Sequence, residues 1–330
     1  MQSELPSFSI VVETENLVNA DFQGLVRSLE CLAAQDPSPI SANEVILIES
    51  GDTPAPLLKQ LSLQYPWIKV HAAPSGIGYY ESKLIGAAIA TGEIVVYYDS
   101  DCLYDPHWLR MILTPFVDRR DVQIVAGETT TRGVGVYETA MALTYIFPQY
   151  SRRLTQSATA EQPQLTPTKQ YFLNNVAFRR SLLLKYPIPT DLPLYRGNCV
   201  IHAHSLTATG ETIWQQPLAR ALHAPPNGVD HFFWRFLLIG HDYYWQKKLL
   251  PGRASREATA ETTMSGVGGK LGVFVDRVSK MLQHDRRHLL YLPLALPIAL
   301  LSALLIYVGY LITTWKPDYL LKTYSKILGE

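Results

Sequence analysis

Alternation of short apolar runs with helical periodicity in the first hundred residues constrains the fold more than any other feature. Four apolar runs predict strands: residues 8–12, 44–48, 68–72 and 93–98. Three stretches between them predict helices: residues 21–34, 57–65 and 82–90. This order indicates a parallel sheet covered on both faces, with a ligand crevice at the carboxyl ends of its strands.

The middle of the chain is less regular. Two further strands are predicted at residues 122–126 and 213–222, and two helices at residues 135–147 and 232–250. Polar stretches rich in Gly, Pro, Ser and Thr predict surface loops at residues 156–168 and 251–269. We therefore expect a first domain over residues 1–250, followed by a connecting segment over residues 251–288.

Residues 289–315 carry no charge and are almost entirely apolar and aromatic. A helix needs about 20 such residues to cross a bilayer, so the stretch predicts a single transmembrane helix, followed by a short tail over residues 316–330. Basic residues stand on both sides of it, so charge does not settle its orientation. Residues 271–282 predict an amphipathic helix that lies either on the membrane surface or against the core.

Composition limits the classes of binding partner and the cellular compartment that we expect for this chain. Lys and Arg total 29 and Asp and Glu total 29, so no overall field attracts nucleic acid. The three cysteines are too scattered for a disulfide framework, which favours a reducing compartment. Residues 1–6 lack a basic region with a following apolar run, so we expect a cytosolic catalytic domain at the cell (inner, cytoplasmic) membrane.

Two aspartates separated by one residue, Asp99 and Asp101, follow the predicted strand at residues 93–98. Side chains two positions apart in extended chain point the same way, and paired carboxylates suit a hard divalent cation. Mg²⁺ or Mn²⁺ held there, together with two phosphates, neutralises the charge that develops on a leaving diphosphate. A solvated acidic turn produces the same pattern, so the motif needs its context.

That context is specific. The run Phe8-Ser-Ile-Val-Val, then Glu44-Val-Ile-Leu-Ile-Glu-Ser-Gly, then Ala90-Thr-Gly-Glu-Ile-Val-Val-Tyr-Tyr-Asp-Ser-Asp resembles the family-2 glycosyltransferases over roughly residues 7–245. The resemblance implies an α/β GT-A fold, a Rossmann-like mixed sheet that binds a nucleoside diphosphate sugar. It also implies that Asp99 and Asp101 contact the metal, and that Asp99 contacts the donor.

The resemblance assigns further donor-side roles. It places Glu49 against the nucleobase and ribose, and Lys83 opposite the diphosphate. Glu13 falls near the ribose, although a polar strand end explains that residue equally well. His223 follows the predicted strand at residues 213–222, where the family presents a third metal ligand or a diphosphate contact.

The acceptor side is less defined. Asn174 and Asn175 lie in a segment that resembles the acceptor side of the family, where amides hydrogen-bond to sugar hydroxyls. Turn formation and helix capping explain the same two residues as well. Both interpretations stay open at this point.

The catalytic base departs from the family pattern. Where the family supplies an acidic pair to deprotonate the acceptor hydroxyl, this chain has Asn198 and Cys199. The alternative bases are His202, His204 and the preceding Asp191. The two histidines are two positions apart and would not share a helix face, so only one of them could serve as the base. Alternatively, the local correspondence with the family is shifted, or the chain has lost ordinary transfer chemistry.

The sequence thus predicts an inverting, metal-dependent hexosyltransferase that uses a nucleoside diphosphate sugar and a lipid-linked or membrane-proximal saccharide acceptor. The competing hypothesis is a non-catalytic membrane scaffold that retains the nucleotide-sugar-binding fold and lacks a base. A sugar nucleotidyltransferase finds little support, because no Gly-rich loop with a following Arg occurs near the first strand.

Overall fold

The computed structural model describes residues 4–14, 22–51, 53–117, 119–147, 165–250 and 266–328. The chain forms two compact units. Unit 1 comprises Met1–Glu128, Thr155–Thr190 and Ser205–Leu222. Unit 2 comprises Thr129–Leu154, Asp191–His204 and His223–Glu330.

The strands form one nine-stranded mixed sheet. In chain order they are β1 (Phe8–Glu13), β2 (Glu44–Glu49), β3 (Ile68–Ala72), β4 (Ile94–Asp99), β5 (Cys102–Tyr104), β6 (Ile124–Thr131), β7 (Thr166–Thr168), β8 (Asn175–Arg179) and β9 (Ile213–His223). The sheet order is β3-β2-β1-β4-β8-β6-β9-β5, and β7 pairs with β9. β1 to β4 pair in parallel, whereas β8 runs antiparallel to β4 and β6. The predicted mixed sheet is thereby confirmed.

The helices are α1 (Phe22–Ala33), α2 (Ala55–Gln64), α3 (Tyr79–Ile89), α4 (Trp108–Leu113), α5 (Val136–Thr144), α6 (Arg180–Lys185), α7 (Asn198–Ala208), α8 (Val229–Leu249), α9 (Gly266–His284), α10 (His288–Trp315) and α11 (Tyr319–Leu328). Short 3₁₀ turns at Pro39–Ser41 and Thr114–Phe116 complete the described elements.

The core of unit 1 follows from the apolar strands. Every residue of β1 and β4 is buried, as the continuous β-branched runs predict for strands covered on both faces. In α3, a Cβ on Gly86 would collide with the Val11 side chain of β1. The small residues of α3 therefore allow the helix to lie close to the sheet.

Unit 2 is mainly helical within its described residues. α10 packs against α5 and α8, and α11 packs against α8 through Leu320 and Leu238. α10 is long and apolar enough to cross a membrane by length and composition, and 22% of its most apolar window is buried. Pro293 and Pro297 lie inside this helix, where each removes one backbone hydrogen bond.

Three predicted boundaries differ from the structure. β6 extends to Thr131, beyond the predicted end at residue 126. The predicted loop at 251–269 ends too late, because α9 begins at Gly266; residues 251–265 lie outside the described part. Most of the predicted loop at 156–168 also lies outside it, and Thr166–Thr168 form β7. The short tail contains α11, whose apolar side packs against α8 within unit 2.

Candidate active site

The carboxyl ends of β1, β2 and β4 meet at one edge of the sheet in unit 1. Glu13, the last residue of β1, is paired with Asp99 of β4 on one side and with Ile48 of β2 on the other. Glu49 ends β2 one residue further on. Glu13, Glu49 and Asp99 therefore lie at the carboxyl ends of neighbouring parallel strands.

Asp99 is enclosed by hydrogen-bonding side chains from α3 and β5. Its Oδ1 accepts a hydrogen bond from the Lys83 ammonium at 2.5 Å, and its Oδ2 accepts one from the Tyr79 hydroxyl at 2.8 Å. Its backbone N–H donates to the Tyr104 hydroxyl at 3.0 Å. Both carboxylate oxygens accept hydrogen bonds from protein donors, which makes Asp99 a buried support of this edge. Its predicted contacts with the metal and the donor stay a prediction.

Lys83 lies beneath the site and not in it. Its side chain is fully buried, and its ammonium donates to the Tyr98 carbonyl at 2.7 Å as well as to Asp99. The rings of Tyr79 and Tyr97 lie 5.6 and 5.4 Å from this ammonium. The structure thus corrects the predicted role of Lys83: its charge compensates Asp99 and is enclosed away from any diphosphate.

Asp101 lies between β4 and β5 and is partly exposed. Its carboxylate accepts a hydrogen bond from the Cys102 thiol at 3.5 Å. Burial raises the pKa of that thiol well above its ordinary value, and the charges of Asp101 and Asp99 raise it further. Cys102 is therefore protonated at neutral pH and is a poor metal ligand. The neighbouring Ser100 hydroxyl is buried without a hydrogen-bond partner among the described residues.

The two carboxylate oxygens of Glu49 have different surroundings. Its Oε1 accepts hydrogen bonds from the backbone N–H of Gly51 at 2.7 Å and of Thr53 at 3.3 Å, and from the Thr14 hydroxyl at 3.3 Å. Gly51 adopts φ +99°, which suits glycine and allows this tight turn. The Glu49 Oε2 is buried and has no partner among the described residues. Because the hydrogen bonds to Oε1 fix the carboxylate, Oε2 has a defined position from which it can accept a hydrogen bond from a bound ligand.

Both predicted acceptor-side asparagines are buried, and Asn175 uses its whole amide within the protein. The Asn175 Oδ1 accepts from Trp108 Nε1 at 2.7 Å, and its Nδ2 donates to the carbonyls of Glu128 and Ala219, both at 3.0 Å. Asn175 is fully buried, so its amide connects β8 to its neighbours and is corrected to a structural residue. Asn174 is also buried, and its Nδ2 donates to Cys102 Sγ at 3.5 Å, beside the Asp101 turn.

His223 is the last residue of β9 and belongs to unit 2. Its Nδ1 lies 2.5 Å from the Ala224 carbonyl, which can only accept, so Nδ1 carries the proton and Nε2 lacks one in the neutral ring. The Phe147 ring lies 4.4 Å from the imidazole. Within unit 1, β9 neighbours β5, and Asp105 N–H donates to the Arg220 carbonyl at 3.1 Å.

The three predicted bases lie in or before α7 and differ in exposure. Asp191 is exposed in the preceding loop, His204 is partly exposed, and His202 is 3% exposed.

A further acid in unit 2, Asp242 of α8, was not predicted from the sequence. Its carboxylate accepts hydrogen bonds from the backbone N–H groups of Tyr195 and Arg196 at 2.7 and 2.9 Å. Burial raises the pKa of Asp242, and its partners lie too far along the chain for any local pattern to reveal them.

Two more residues were not predicted from the sequence. Arg235 of α8 is nearly buried, donates to the Tyr145 hydroxyl at 3.0 Å and lies over the Tyr145 and Tyr195 rings. Tyr79 supports Asp99, and its spacing of four from Lys83 on α3 was the available signal.

His231 of α8 lies in a positively charged surrounding. Burial, together with the positive charges of the nearby Arg235, His223 and Arg196, lowers the pKa of His231 to about 4. The imidazole is therefore neutral at physiological pH, and its protonation opposes folding.

A mixed sheet of this order, with acidic side chains at the carboxyl ends of its parallel strands, defines the class of GT-A glycosyltransferase folds. The family model for glycosyl transferase family 2 matches residues 9–185, more than half of the chain. The chain therefore belongs to glycosyl transferase family 2.

Curated relatives match over a shorter region. Human polypeptide N-acetylgalactosaminyltransferase 10 is 25% identical over 118 residues, which are 35% of this chain and 18% of that protein. N-acetylgalactosaminyltransferase 7 of Drosophila melanogaster is 28% identical over 126 residues, 37% of this chain and 21% of that protein. The matched region thus spans only about a fifth of these relatives.

Solved structures share the fold. GalNAc-T7 with UDP, GalNAc and Mn²⁺ has a TM-score of 0.53 at 13% identity, covering 85% of this chain and 58% of that one. The mannosyltransferase PcManGT from Pyrobaculum calidifontis, in complex with GDP-Man and Mn²⁺, has a TM-score of 0.52 at 16% identity, covering 99% and 85%. At these identities the likeness establishes the GT-A fold.

Proposed function

We propose that this chain is an inverting hexosyltransferase, which transfers a sugar from a nucleoside diphosphate sugar to a lipid-linked or membrane-proximal saccharide acceptor. One observation carries the proposal. At the same sheet edge, the Asp101 carboxylate is partly exposed and the Glu49 Oε2 is buried without a partner among the described residues, while the charge of Asp99 is compensated from below. Structural neighbours bound to UDP or GDP-Man support a nucleoside diphosphate donor.

Glu49 is the proposed contact of the nucleoside. Its Oε1 is fixed by two backbone N–H groups and a hydroxyl, so its Oε2 has a defined position from which to accept a hydrogen bond from the base or the ribose. Glu13, paired in register with Asp99, is the second proposed contact on the ribose side. A preorganised acceptor of this kind favours the nucleotide without loss of side-chain freedom on binding.

Asp101 and His223 are the proposed protein ligands of the divalent cation. A carboxylate and a neutral imidazole, completed by diphosphate oxygens, form a donor set that suits Mn²⁺ and accommodates Mg²⁺. The resemblance to the family supports this pairing, because the family presents a third metal ligand or a diphosphate contact at the position of His223, the last residue of β9. When bound, the cation neutralises the negative charge of the departing diphosphate.

The acceptor hydroxyl needs a base as it attacks the anomeric carbon from the face opposite the diphosphate. Asp191, His202 and His204 stay the proposed candidates. Exposure favours Asp191 and His204, because His202 is almost fully buried in α7. The pH profile of kcat distinguishes these candidates in the single variants Asp191→Asn and His204→Gln, with His202→Gln as the buried counterpart. Replacing the residue that acts as the base should remove its ionisation from that profile.

α10 supports a membrane setting for the acceptor. Its exposed leucines would keep the catalytic unit beside lipid-linked saccharides at the cytoplasmic membrane, with the catalytic part in the cytosol. We propose this localisation together with the acceptor class.

A donor screen tests the proposed function. The detergent-solubilised protein is incubated with Mn²⁺ or Mg²⁺, a panel of UDP and GDP sugars and lipid-extract acceptors, and diphosphate release and sugar transfer are measured. We expect Asp101→Ala to reduce transfer at least about a hundredfold, and the matched Asp121→Ala, at an exposed surface acid, to leave it unchanged. Equal transfer by the parent and Asp101→Ala would refute the site. Nucleotide binding without transfer across the whole panel would favour the non-catalytic scaffold.

A further inference from the structure

Both ends of α10 are attached to unit 2. Near its start, His288 Nδ1 and the Thr139 hydroxyl of α5 lie 2.7 Å apart. Near its end, the Thr313 hydroxyl lies 3.1 Å from Nδ1 of His241, a buried residue of α8. His288 and Thr313 are 25 positions apart, about 38 Å along a helix, which exceeds the roughly 30 Å hydrocarbon core of a bilayer.

One face of α10 between these ends is buried from Ala295 onward. The buried positions recur every three or four residues: Ala295, Ala299, Ser302, Leu305 and Gly309. At Gly309 a Cβ would collide with the Leu237 carbonyl of α8, and at Gly240 of α8 one would collide with the Ile306 carbonyl of α10. Contact this close fixes α10 against the helices of unit 2, so α10 cannot be moved away from them.

The helices beneath α10 are unsuited to hydrocarbon. α8 buries Arg235, His241 and Asp242 among its inner residues and ends in Lys247 and Lys248. If α10 stood upright across a bilayer, the attached α5 and α8 would have to accompany it. The charged groups of α8 would then lie at the depth of the lipid chains, where such groups are strongly disfavoured.

The opposite face of α10 is apolar and uncovered. Its most exposed large side chains are Trp315 at 87%, Leu290 at 76%, Leu300 at 70%, Leu294 at 66% and Leu289 at 58%, followed by Leu304 and Tyr307 at 55%. A stripe of this size on one face marks an interaction surface. Exposed basic residues flank both ends, Arg286 before the helix and Lys316 after it, whereas the neighbouring Arg287 and Lys322 are paired with Asp285 and Asp318. Anionic headgroups complement these charges.

We propose that α10 lies in the plane of one membrane leaflet, with its leucine face in the acyl chains and its buried stripe on unit 2, instead of crossing the bilayer. The occupant of this surface is a single leaflet that contains anionic lipid. Both flanks of α10 then face the same aqueous compartment. This inference rests on the membrane localisation in the proposed function, and it does not depend on which sugar-transfer reaction the chain catalyses.

Labelling from each side tests the orientation. Arg286→Cys and Asp318→Cys, one on each flank, are made separately in the full chain, with the parent as background for the native cysteines, of which Cys102 and Cys199 are buried. A membrane-impermeant maleimide is applied to intact spheroplasts and to inverted vesicles. We expect both variants to react in inverted vesicles and neither in spheroplasts. Reaction of the two flanks from opposite sides would overturn the proposal.

Vesicle flotation tests the surface itself. The parent should float with vesicles of phosphatidylcholine and phosphatidylglycerol at least tenfold more strongly than with phosphatidylcholine alone. The double variant Leu300→Asp/Leu304→Asp should lose this flotation, while Leu63→Asp, at a 75% exposed leucine of α2, should keep it. Undiminished flotation of the double variant, or recovery of the parent in the soluble fraction, would refute the surface. UDP and GDP binding measured on the same samples reports separately on the proposed function.

Discussion

β4 of unit 1 and α10 of unit 2 are both strongly apolar, and they use that character in opposite ways. All six residues of β4 are buried within the protein, whereas several leucines on one face of α10 are more than half exposed. β4 ends on a charge that the protein itself neutralises, the Lys83–Asp99 pair. α10 carries charge only on its flanks.

The difference shows that an apolar run in the sequence does not by itself indicate whether protein or lipid will cover it in the folded state. In unit 1 the partner is the rest of the core, which is close-packed enough to enclose an ion pair with its hydrogen bonds satisfied. In unit 2 we infer that the partner is lipid. Four substitutions probe this contrast, in order of decreasing expected effect.

Replacing Lys83 by Met disrupts the enclosed charge at the end of β4. It leaves Asp99 as an uncompensated buried charge, and we expect a loss of about 3–5 kcal/mol in the free energy of unfolding. Adding Asp99→Asn should recover most of that loss. Denaturant unfolding measures both, with Lys69→Met on exposed β3 as the control. A cost of Lys83→Met no greater than that of the control would show that the pair does not support the site.

Replacing Glu49 by Gln tests whether the edge above β4 binds nucleotide. The neutral amide weakens a charge-assisted hydrogen bond, so we expect the Kd of UDP or GDP to rise about 10- to 100-fold, corresponding to roughly 1.5–3 kcal/mol. Isothermal titration calorimetry measures the change. Glu44→Gln, at the opposite end of β2, should leave the Kd unchanged; equal effects of the two variants would argue against the Glu49 contact.

Replacing Gly309 by Ala tests the packed face of α10. The added methyl group meets the Leu237 carbonyl, and we expect a loss of about 1–3 kcal/mol in stability. Gly272→Ala in α9 enters open space and should be neutral or stabilising. Thermal unfolding in detergent compares the two. Equal Tm values would mean that α10 moves independently of α8.

His231 tests the charged interior of unit 2 through pH. Because its pKa is lowered to about 4 in the folded protein, the unfolded chain binds the proton first as pH falls below about 6.5. Stability should therefore decrease between pH 6.5 and 4, by on the order of 1–2 kcal/mol from this residue. His231→Gln should flatten that decrease in denaturant midpoints, and His107→Gln, at an exposed histidine, should not. An unchanged slope in His231→Gln would remove His231 as the cause.

The parallel strands could be predicted because fully buried strands appear in the sequence as continuous apolar runs, as in β1 and β4. Convergence of Glu49 and Asp99 followed from the rule that parallel strand ends share one edge. The roles of Lys83 and Asn175 could not be predicted, because they depend on which way each side chain points and on partners as much as 67 residues away. The buried stripe of α10 is likewise visible only once its neighbours are placed.

Mn²⁺ binding in the presence of UDP or GDP, measured by calorimetry for the parent and for Asp101→Asn, tests directly whether Asp101 holds the cation. If Asp101 holds the cation while Asp99 supports it from below, Asp101→Asn should lose at least about tenfold in Mn²⁺ affinity with an unchanged unfolding midpoint. Unchanged Mn²⁺ affinity in Asp101→Asn would mean that the cation is held elsewhere and that the proposed site is wrong.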